Sequence, residues 1–203
     1  MLIASYNKAQ IGDILIVMLH EDAPSQTVEK KDSIVEISDS SNGTKLGYNF
    51  LGVGEKLGLT EAGQVKLSNE QVNLLNGMLL KAGFEAVLEI DETPKFVVGL
   101  VEEMTEHPDS DHLHITKTNI GSETLQIVCG APNIAQNQLV VVARVGAMMP
   151  NGEVIWPGKL RGVESDGMIC SARELHLPNA PKKRGILVLP AGKFHQGQPF
   201  SID

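Results

Sequence analysis

The sequence is poor in aromatic side chains. Phe, Trp and Tyr make up 4% of its 203 residues, and Trp156 is the single tryptophan. Proteins that bind single-stranded nucleic acid by base stacking use a series of such rings along the binding groove. The composition argues against a surface of that kind, although a hydrophobic share of 42% is ample for a globular core.

Cysteine and long apolar runs are also scarce. Only Cys129 and Cys170 are present, which excludes a disulfide-rich scaffold and favours two buried, reduced thiols. No apolar run approaches the ~20 residues of a membrane-spanning helix, and the first residues lack the pattern of a signal peptide. We therefore expect a soluble, cytoplasmic protein without a membrane partner.

Arginine is absent from the first part of the chain. The formal net charge of −8 argues against a strong, undirected binder of nucleic acid. Residues 1–91 carry a net charge of −6, whereas residues 92–203 carry −2 and all four arginines. Arginine suits phosphate recognition because its planar guanidinium donates two parallel hydrogen bonds. The second part is therefore the better candidate for an anion-binding surface.

Residues 1–90 predict a small α+β domain of strands and one helix. The apolar run DILIVML and the alternating run SIVEISD are typical of strands, and Asn42-Gly43 favours a two-residue type I′ hairpin. Ser68 and Gln71 fit a capping box at the start of a helix. The polar segment EIDETPK, residues 89–95, predicts the domain boundary.

Residues 94–203 follow a different pattern. Four strand-like runs occur in order, FVVGLVEEM, LHITKTNI, TLQIVCGA and LVVVARVGA, and GMICSA adds a fifth. Only one or two helical turns fit between and after them. Five short strands with so little helix favour a small closed barrel over a sheet with crossover helices.

No complete catalytic motif is present. The segment GVESDG resembles a nucleophile elbow, but that motif needs serine two residues after the first glycine, and Ser165 follows Gly162 by three. Cys170 lies in an apolar run, where an inert buried thiol is expected. The stretches GVGEKLG and GEVIWPGKL have the wrong spacing for a phosphate-binding loop. We therefore predict that the protein is not an enzyme.

Three histidines lie close together in HPDSDHLHI, residues 107–115. With the intervening aspartates they suggest a metal site. Pro108 and Asp111, however, are typical turn residues. We favour the turn and predict neither a metal nor another cofactor.

The cationic residues of the second part are the remaining candidates for a functional surface. The run KKR lies between proline and glycine in APKKRG, which is typical of an exposed loop. The others lie in or near strands, so the rim of a small barrel could bring them together. The candidates are Arg144, Lys159, Arg161, Arg173, Lys182, Lys183 and Arg184.

Four long strings in this region match a known family. They are FVVGLVEEMTEHPDSDHLHITKTNIG, LQIVCGAPNI, VVVARVGAMMPNG and KLRGVESDGMICSARELHL, in this order and with short spacers. They resemble the tRNA-binding OB-fold domain of the phenylalanyl-tRNA synthetase β chain. A short N-terminal unit followed by this module is similar to the stand-alone tRNA-binding proteins of YtpR type.

The resemblance implies a fold and a function for residues 94–203. The expected fold is an OB fold, a five-stranded Greek-key barrel, and the expected activity is non-catalytic binding of tRNA. Such a barrel meets phosphates with cations and 2′-hydroxyls with polar groups. We therefore predict RNA contacts from Lys159, Arg161, Arg173, Lys182, Lys183, Arg184, Arg144 and Ser171.

The chain departs from the family pattern at two positions. His112 replaces the usual lysine and Ser110 replaces an alanine, and the first change removes a fixed positive charge. Weak binding, or binding assisted by a translation-related protein, is therefore an alternative, in which the module acts as an adaptor between proteins. The oligomeric state stays open, a homodimer included.

Overall fold

The computed structural model describes residues 1–60 and 62–202. The chain divides into two compact units, Met1–Glu92 (unit 1) and Thr93–Asp203 (unit 2). Both units are mostly β, with few helices. Within the described residues, no helix combines the length and the apolar character needed to cross a bilayer.

Unit 1 is built on one antiparallel sheet. In chain order its elements are β1 (Ile3–Tyr6), α1 (Lys8–Ile11), β2 (Ile14–Met18), β3 (Gln26–Lys31), β4 (Ile34–Asp39), β5 (Lys45–Leu51), α2 (Gly54–Leu57), β6 (Gly63–Val65) and α3 (Asn69–Lys81). The six strands pair in the order β3-β4-β5-β2-β1-β6. The sequence predicted β2, β4 and α3, and the structure confirms these three elements.

Helix α3 begins where the capping box predicted. The Ser68 hydroxyl accepts a hydrogen bond from the Gln71 amide at 3.2 Å, and the Gln71 side chain accepts one from the Ser68 amide at 2.8 Å. These two bonds satisfy backbone donors that the first helical turn leaves free. Val72, Leu75 and Leu79 then lie on one face and join the apolar core with residues of the sheet.

The predicted two-residue turn at Asn42-Gly43 is wrong. β4 ends at Asp39 and β5 begins at Lys45, so the connection has five residues. The Asp39 carboxylate accepts hydrogen bonds from the Ser41 amide at 2.8 Å and from the Asn42 side chain at 3.0 Å. Of the five residues in this connection only Gly43 has a positive φ, +76°, whereas a type I′ turn needs two such residues. The aspartate side chain therefore organises a wider loop.

Unit 2 contains eight strands and no α-helix among its described residues. They are β7 (Phe96–Glu106), β8 (His114–Asn119), β9 (Thr124–Cys129), β10 (Leu139–Arg144), β11 (Gly158–Leu160), β12 (Val163–Ser165), β13 (Gly167–Ile169) and β14 (Val188–Leu189). The main sheet has the order β13-β10-β7-β8-β9, and β14 also pairs with β10. All five strands that the sequence predicted here are confirmed.

Alternation along the central strands separates two apolar clusters. On β10, Val140 and Val142 belong to one cluster, and Val141 and Ala143 belong to the other. Successive side chains of a strand point to opposite faces, so both faces of this strand are buried. A sheet covered on both sides explains why the run LVVVA contains no polar residue.

The prediction of a five-stranded closed barrel is not confirmed. The main sheet has six strands, counting β14, and no ladder joins its end strands β13 and β9 among the described residues. Isolated hydrogen bonds do link β9 to the chain just before β13: the Asp166 amide donates to the Gln126 carbonyl at 2.8 Å. The Ser165 hydroxyl also accepts from the Val128 amide at 3.1 Å.

Strands β11 and β12 form a separate hairpin, residues 158–165. Leu160 pairs with Val163, which leaves Arg161 and Gly162 as a two-residue turn. Their φ values are +46° and +83°, and positive values at both central positions characterise a type I′ turn. The hairpin therefore places an arginine at its tip in a conformation that arginine seldom adopts.

Candidate nucleic-acid interface

A groove of about 440 Å³ lies in unit 2 beside the end of β9. Its walls come from the end of β9, from β13, from the turn that follows β13 and from the loop before β14. Half of the predicted contact residues line it: Ser171, Arg173, Lys182 and Arg184. The structure therefore brings together cations from two segments that are separated in the sequence.

The loop that carries Lys182 and Arg184 is held at its C-terminal end by Asn133. The Asn133 side chain donates to the Ile186 carbonyl at 3.0 Å and accepts from the Ile186 amide at 2.8 Å. Glycine at position 185 lets the backbone pass close to the Asn133 side chain, because a Cβ atom there would lie 2.7 Å from the side-chain oxygen of Asn133. The two hydrogen bonds fix where the cationic loop leaves the groove.

The turn that carries Arg173 is held by a second pair of reciprocal hydrogen bonds. The Ser171 amide donates to the Glu174 carboxylate at 2.7 Å, and the Glu174 amide donates to the Ser171 hydroxyl at 3.2 Å. This is the hydrogen-bond pattern of a capping box, here around a short turn. The Arg173 side chain extends from this turn and is exposed.

The floor of the groove is apolar and carries no aromatic ring among the described lining residues. Val128, Ile169 and Ile186 contribute to it together with Ala131 and Met168. Shape and charge therefore determine what this groove can bind, and base stacking on aromatic rings does not contribute.

Four predicted contact residues do not line the groove. Lys183 is exposed in the same loop as its two lining neighbours. Lys159 and Arg161 lie on the β11–β12 hairpin, where Lys159 forms an ion pair of 3.3 Å with Glu164. Arg144, at the end of β10, forms an ion pair of 2.7 Å with Glu123.

The residues that resembled nucleophiles have structural roles. The Ser165 hydroxyl is buried, accepts from the Val128 amide and donates to the Gly167 carbonyl at 3.2 Å. Cys170 is fully buried, and burial raises the pKa of its thiol to about 12. Burial also raises the pKa of the Cys129 thiol. Both thiols are therefore protonated, and unreactive, near neutral pH.

The histidine-rich segment forms the predicted turn. The Ser110 amide donates to the His107 carbonyl at 3.3 Å, which closes a turn with Pro108 at its second position. No group of three or more metal-ligating side chains occurs among the described residues. In this segment His112 instead contacts Asp111 at 2.8 Å, and this hydrogen bond lowers the pKa of the exposed Asp111 carboxyl.

Reasoning from the sequence missed two residues that shape the groove. Asn133 and Glu174 contact backbone groups of the loop and of the turn that bring in the cations. Both lie in the strings that carry the family resemblance, LQIVCGAPNI and SARELHL. The S-x-x-E spacing of Ser171 and Glu174 was a usable signal for a reciprocal cap.

Two family models match separate parts of the chain. Residues 96–199, slightly more than half of the chain, match the family described as "Putative tRNA binding domain". Residues 21–91 match a second family, "Domain of unknown function (DUF4479)".

Two relatives illustrate the range of similarity. The "Putative tRNA-binding protein YtpR" of Bacillus subtilis (strain 168) is 47% identical over 200 residues, covering 98% of this chain and 99% of that protein. The phenylalanine–tRNA ligase beta subunit of Oceanobacillus iheyensis is 55% identical over 95 residues, but these are 47% of this chain and only 12% of the ligase subunit. The similarity to the ligase is thus confined to one small part of it.

Among solved structures, a MetRS-related protein from Pyrococcus horikoshii covers 56% of this chain at 17% identity, with a TM-score of 0.39. That likeness is too weak to support an argument. The family match over residues 96–199 and the near-complete alignment with the Bacillus subtilis protein establish the relationship. The chain belongs to the tRNA-binding domain family.

Proposed function

We propose that the protein is a non-catalytic tRNA-binding protein and that the groove of unit 2 is part of its RNA-binding surface. The observation that carries the proposal is the convergence of Arg173, Lys182 and Arg184 on one groove, within the part of the chain that matches the tRNA-binding family. Like charges repel one another, so a groove lined by three cations and one carboxylate favours an anionic ligand.

The groove suits a nucleic-acid backbone better than a particular base sequence. The arginines offer planar donors to phosphate oxygens, and the Ser171 hydroxyl is a candidate partner for a 2′-hydroxyl. Phosphate contacts position a nucleic acid without specifying its bases. The three cations that line the groove and Lys183 should together contribute about −3 to −4 to the slope of log Kobs against log salt.

The hairpin extends the proposed surface. Lys159 and Arg161 are exposed, and the ion pair of Lys159 with Glu164 is itself exposed to water, so we assign both cations to contacts with a neighbouring stretch of the RNA. Arg144 enters the proposal last, because its ion pair with Glu123 must open before the guanidinium reaches a phosphate.

The proposal includes an assignment of domains. We assign residues 94–203 to an OB-type barrel and residues 1–90 to a separate α+β domain of unknown role. The bond between Asp166 and Gln126 supports the barrel, because it links the two ends of the main sheet through backbone groups. In the α+β assignment, the helix of residues 69–81 covers the sheet of unit 1.

The cellular location and the process in which the protein acts follow from its proposed ligand. A tRNA-binding protein acts where tRNA is used, so we place it in the cytoplasm and within translation. We further propose that a translation-related protein, or a second copy of this chain, increases an affinity that the net charge of −8 keeps low.

Replacement of the groove arginines tests the proposal. Arg173→Ala and Arg184→Ala should each weaken the binding of bulk tRNA several-fold and reduce the salt slope by about 0.7–0.9. Fluorescence anisotropy at three salt concentrations measures both quantities. Lys193→Ala is the matched control, since Lys193 is an exposed cation of unit 2 outside the groove lining. If both arginine variants bind as tightly as the Lys193→Ala control and the wild type, the groove is not the binding site.

A further inference from the structure

A buried histidine joins the turn after β7 to the hairpin of residues 158–165. His107 is only 3% exposed. Its Nδ1 atom lies 3.1 Å from the Asp109 amide nitrogen, and its Nε2 atom lies 3.1 Å from the Leu160 carbonyl oxygen. Both ring nitrogens are therefore used, one within its own turn and one across to the hairpin.

The two contacts determine the form of the ring. An amide N–H can only donate, so Nδ1 accepts and carries no proton. A carbonyl oxygen can only accept, so Nε2 carries the proton and donates it to Leu160. The neutral ring with hydrogen on Nε2 is the form that satisfies both contacts, and each ring nitrogen has a separate structural task.

The hairpin that His107 contacts carries cations of the proposed RNA surface. Lys159 and Arg161 lie on either side of Leu160. Arg161 makes a second contact with the same turn, since its Nη1 atom donates to the Asp109 carbonyl at 2.7 Å. Arginine has five guanidinium N–H groups, so four that are not used in this bond remain for a ligand.

The hairpin has few other anchors to the main sheet. The Gln126 side chain donates to the Glu164 carbonyl at 2.9 Å, and the Ser165 hydroxyl meets the Val128 amide. Both of these anchors lie on β12, near the base of the hairpin. The bonds of His107 and Arg161 lie at its tip, so they restrict the motion of the turn that presents the cations.

We propose that His107 is a positioning residue for RNA binding, which holds the hairpin tip in place through its bond to the Leu160 carbonyl. The proposal rests on the proposed function. A hairpin that is already fixed loses less conformational freedom when it meets its ligand, and affinity is higher for that reason. His107 itself is buried and does not contact the RNA.

Two substitutions separate the two tasks of the ring. In His107→Asn, the shorter side chain still accepts from the Asp109 amide, as asparagine does in an Asx turn, but does not reach Leu160. In His107→Gln, the longer side chain places an N–H donor near the position of Nε2 and keeps the bond to Leu160. His195→Asn is the matched control, because His195 is an exposed histidine of the same unit.

Each variant is measured by two independent methods. Trypsin cleavage after Lys159 or Arg161, followed by mass spectrometry, reports release of the hairpin without any RNA. Anisotropy titration with bulk tRNA reports affinity. We expect His107→Asn to cleave faster and to bind about three- to tenfold more weakly, the effect of one hydrogen bond. We expect His107→Gln and the control to behave like the wild type in both.

The outcomes separate this proposal from the proposed function. If wild-type protein does not bind tRNA, the proposed function fails and the positioning role in binding falls with it. The cleavage rates then still decide whether His107 holds the hairpin. If tRNA binds and His107→Asn opens the hairpin without loss of affinity, the positioning role is wrong. If His107→Gln loses as much affinity as His107→Asn or more, the bond to Leu160 does not carry the effect and the positioning role is wrong; a loss in His107→Gln alone would assign the ring to the stability of its own turn.

Discussion

Burial determines the chemistry of Cys170. The side chain is fully buried, and the pKa of its thiol is raised to about 12 from an ordinary value of 9.0. Below pH 9 the thiol is protonated in both the folded and the unfolded chain. As the pH rises from about 9 towards 12, the unfolded chain releases this proton first, so folding becomes less favourable. The burial of the thiol thus stabilises the protein fully only below that range.

Replacement of Cys170 tests this linkage. Cys170→Ala should destabilise the protein by about 1–2 kcal/mol at pH 8, the cost of a small cavity. The difference from wild type should shrink between pH 9 and pH 11, because the variant has no thiol to ionise. Urea unfolding over this pH range measures it. The affinity for tRNA should stay unchanged at pH 8, and a large loss would instead give the thiol a role in binding.

At the same scale, residue types could be predicted from the sequence but their partners could not. The sequence singled out every arginine of unit 2 as a candidate. It did not indicate that Arg144 is neutralised by Glu123, which lies 21 positions away on the chain. That pairing depends on how strands are placed side by side, which residue type alone does not specify. The hydrogen bond that the Ser171 hydroxyl accepts from Glu174 is local instead, and the S-x-x-E spacing was a signal for it.

The turn that follows β13 combines a structural carboxylate with a proposed anion site. Glu174 lines the groove and binds the Ser171 amide. Its negative charge repels an approaching phosphate, whereas its hydrogen bond to the Ser171 amide holds the turn that carries Arg173. The effect of the charge and the effect of the hydrogen bond can be separated, because glutamine keeps an acceptor oxygen and removes the charge.

Glu174→Gln should therefore increase the affinity for tRNA by about threefold at low salt, since it removes one repulsive charge from the groove. Glu174→Ala removes the charge and the cap together, so the gain should be smaller or absent. Anisotropy titrations at low and at moderate salt compare the two variants, and the advantage of glutamine should decrease as salt increases. A weaker binder in place of a stronger one would mean that Glu174 itself contacts the RNA.

Elements with strong local signals were predictable, and elements defined by their neighbours were not. The capping box identified α3, and apolar runs identified β7 to β10. β3 was missed because its residues are exposed and mostly polar, so it lacks the alternation of a half-buried strand. The hairpin of residues 158–165 was missed because Arg161-Gly162 is not among the dipeptides that favour a type I′ turn.

At the scale of the whole molecule, charge is distributed unequally between the two units. Residues 93–203 carry ten lysine and arginine side chains against 11 acidic ones, whereas the rest of the net charge of −8 lies in residues 1–92. The groove cations are thus part of a chain whose overall field repels RNA. Barrel closure is a separate property of the whole unit. The five-stranded barrel was not confirmed, because closure depends on how the end strands meet, which the strand pattern does not encode.

Removal of unit 1 tests both the domain assignment and this view of the charge. A fragment of residues 93–203 should fold, retain tRNA binding and bind more tightly than the full chain at low salt, because most of the repulsive charge is gone. The difference should disappear as salt increases, since screening suppresses interactions beyond about 8 Å at physiological ionic strength. Circular dichroism checks folding, and parallel anisotropy titrations of fragment and full chain compare affinity. If the fragment is folded but binds more weakly at every salt concentration, unit 1 contributes contacts of its own, and the acidic unit belongs to the RNA-binding surface.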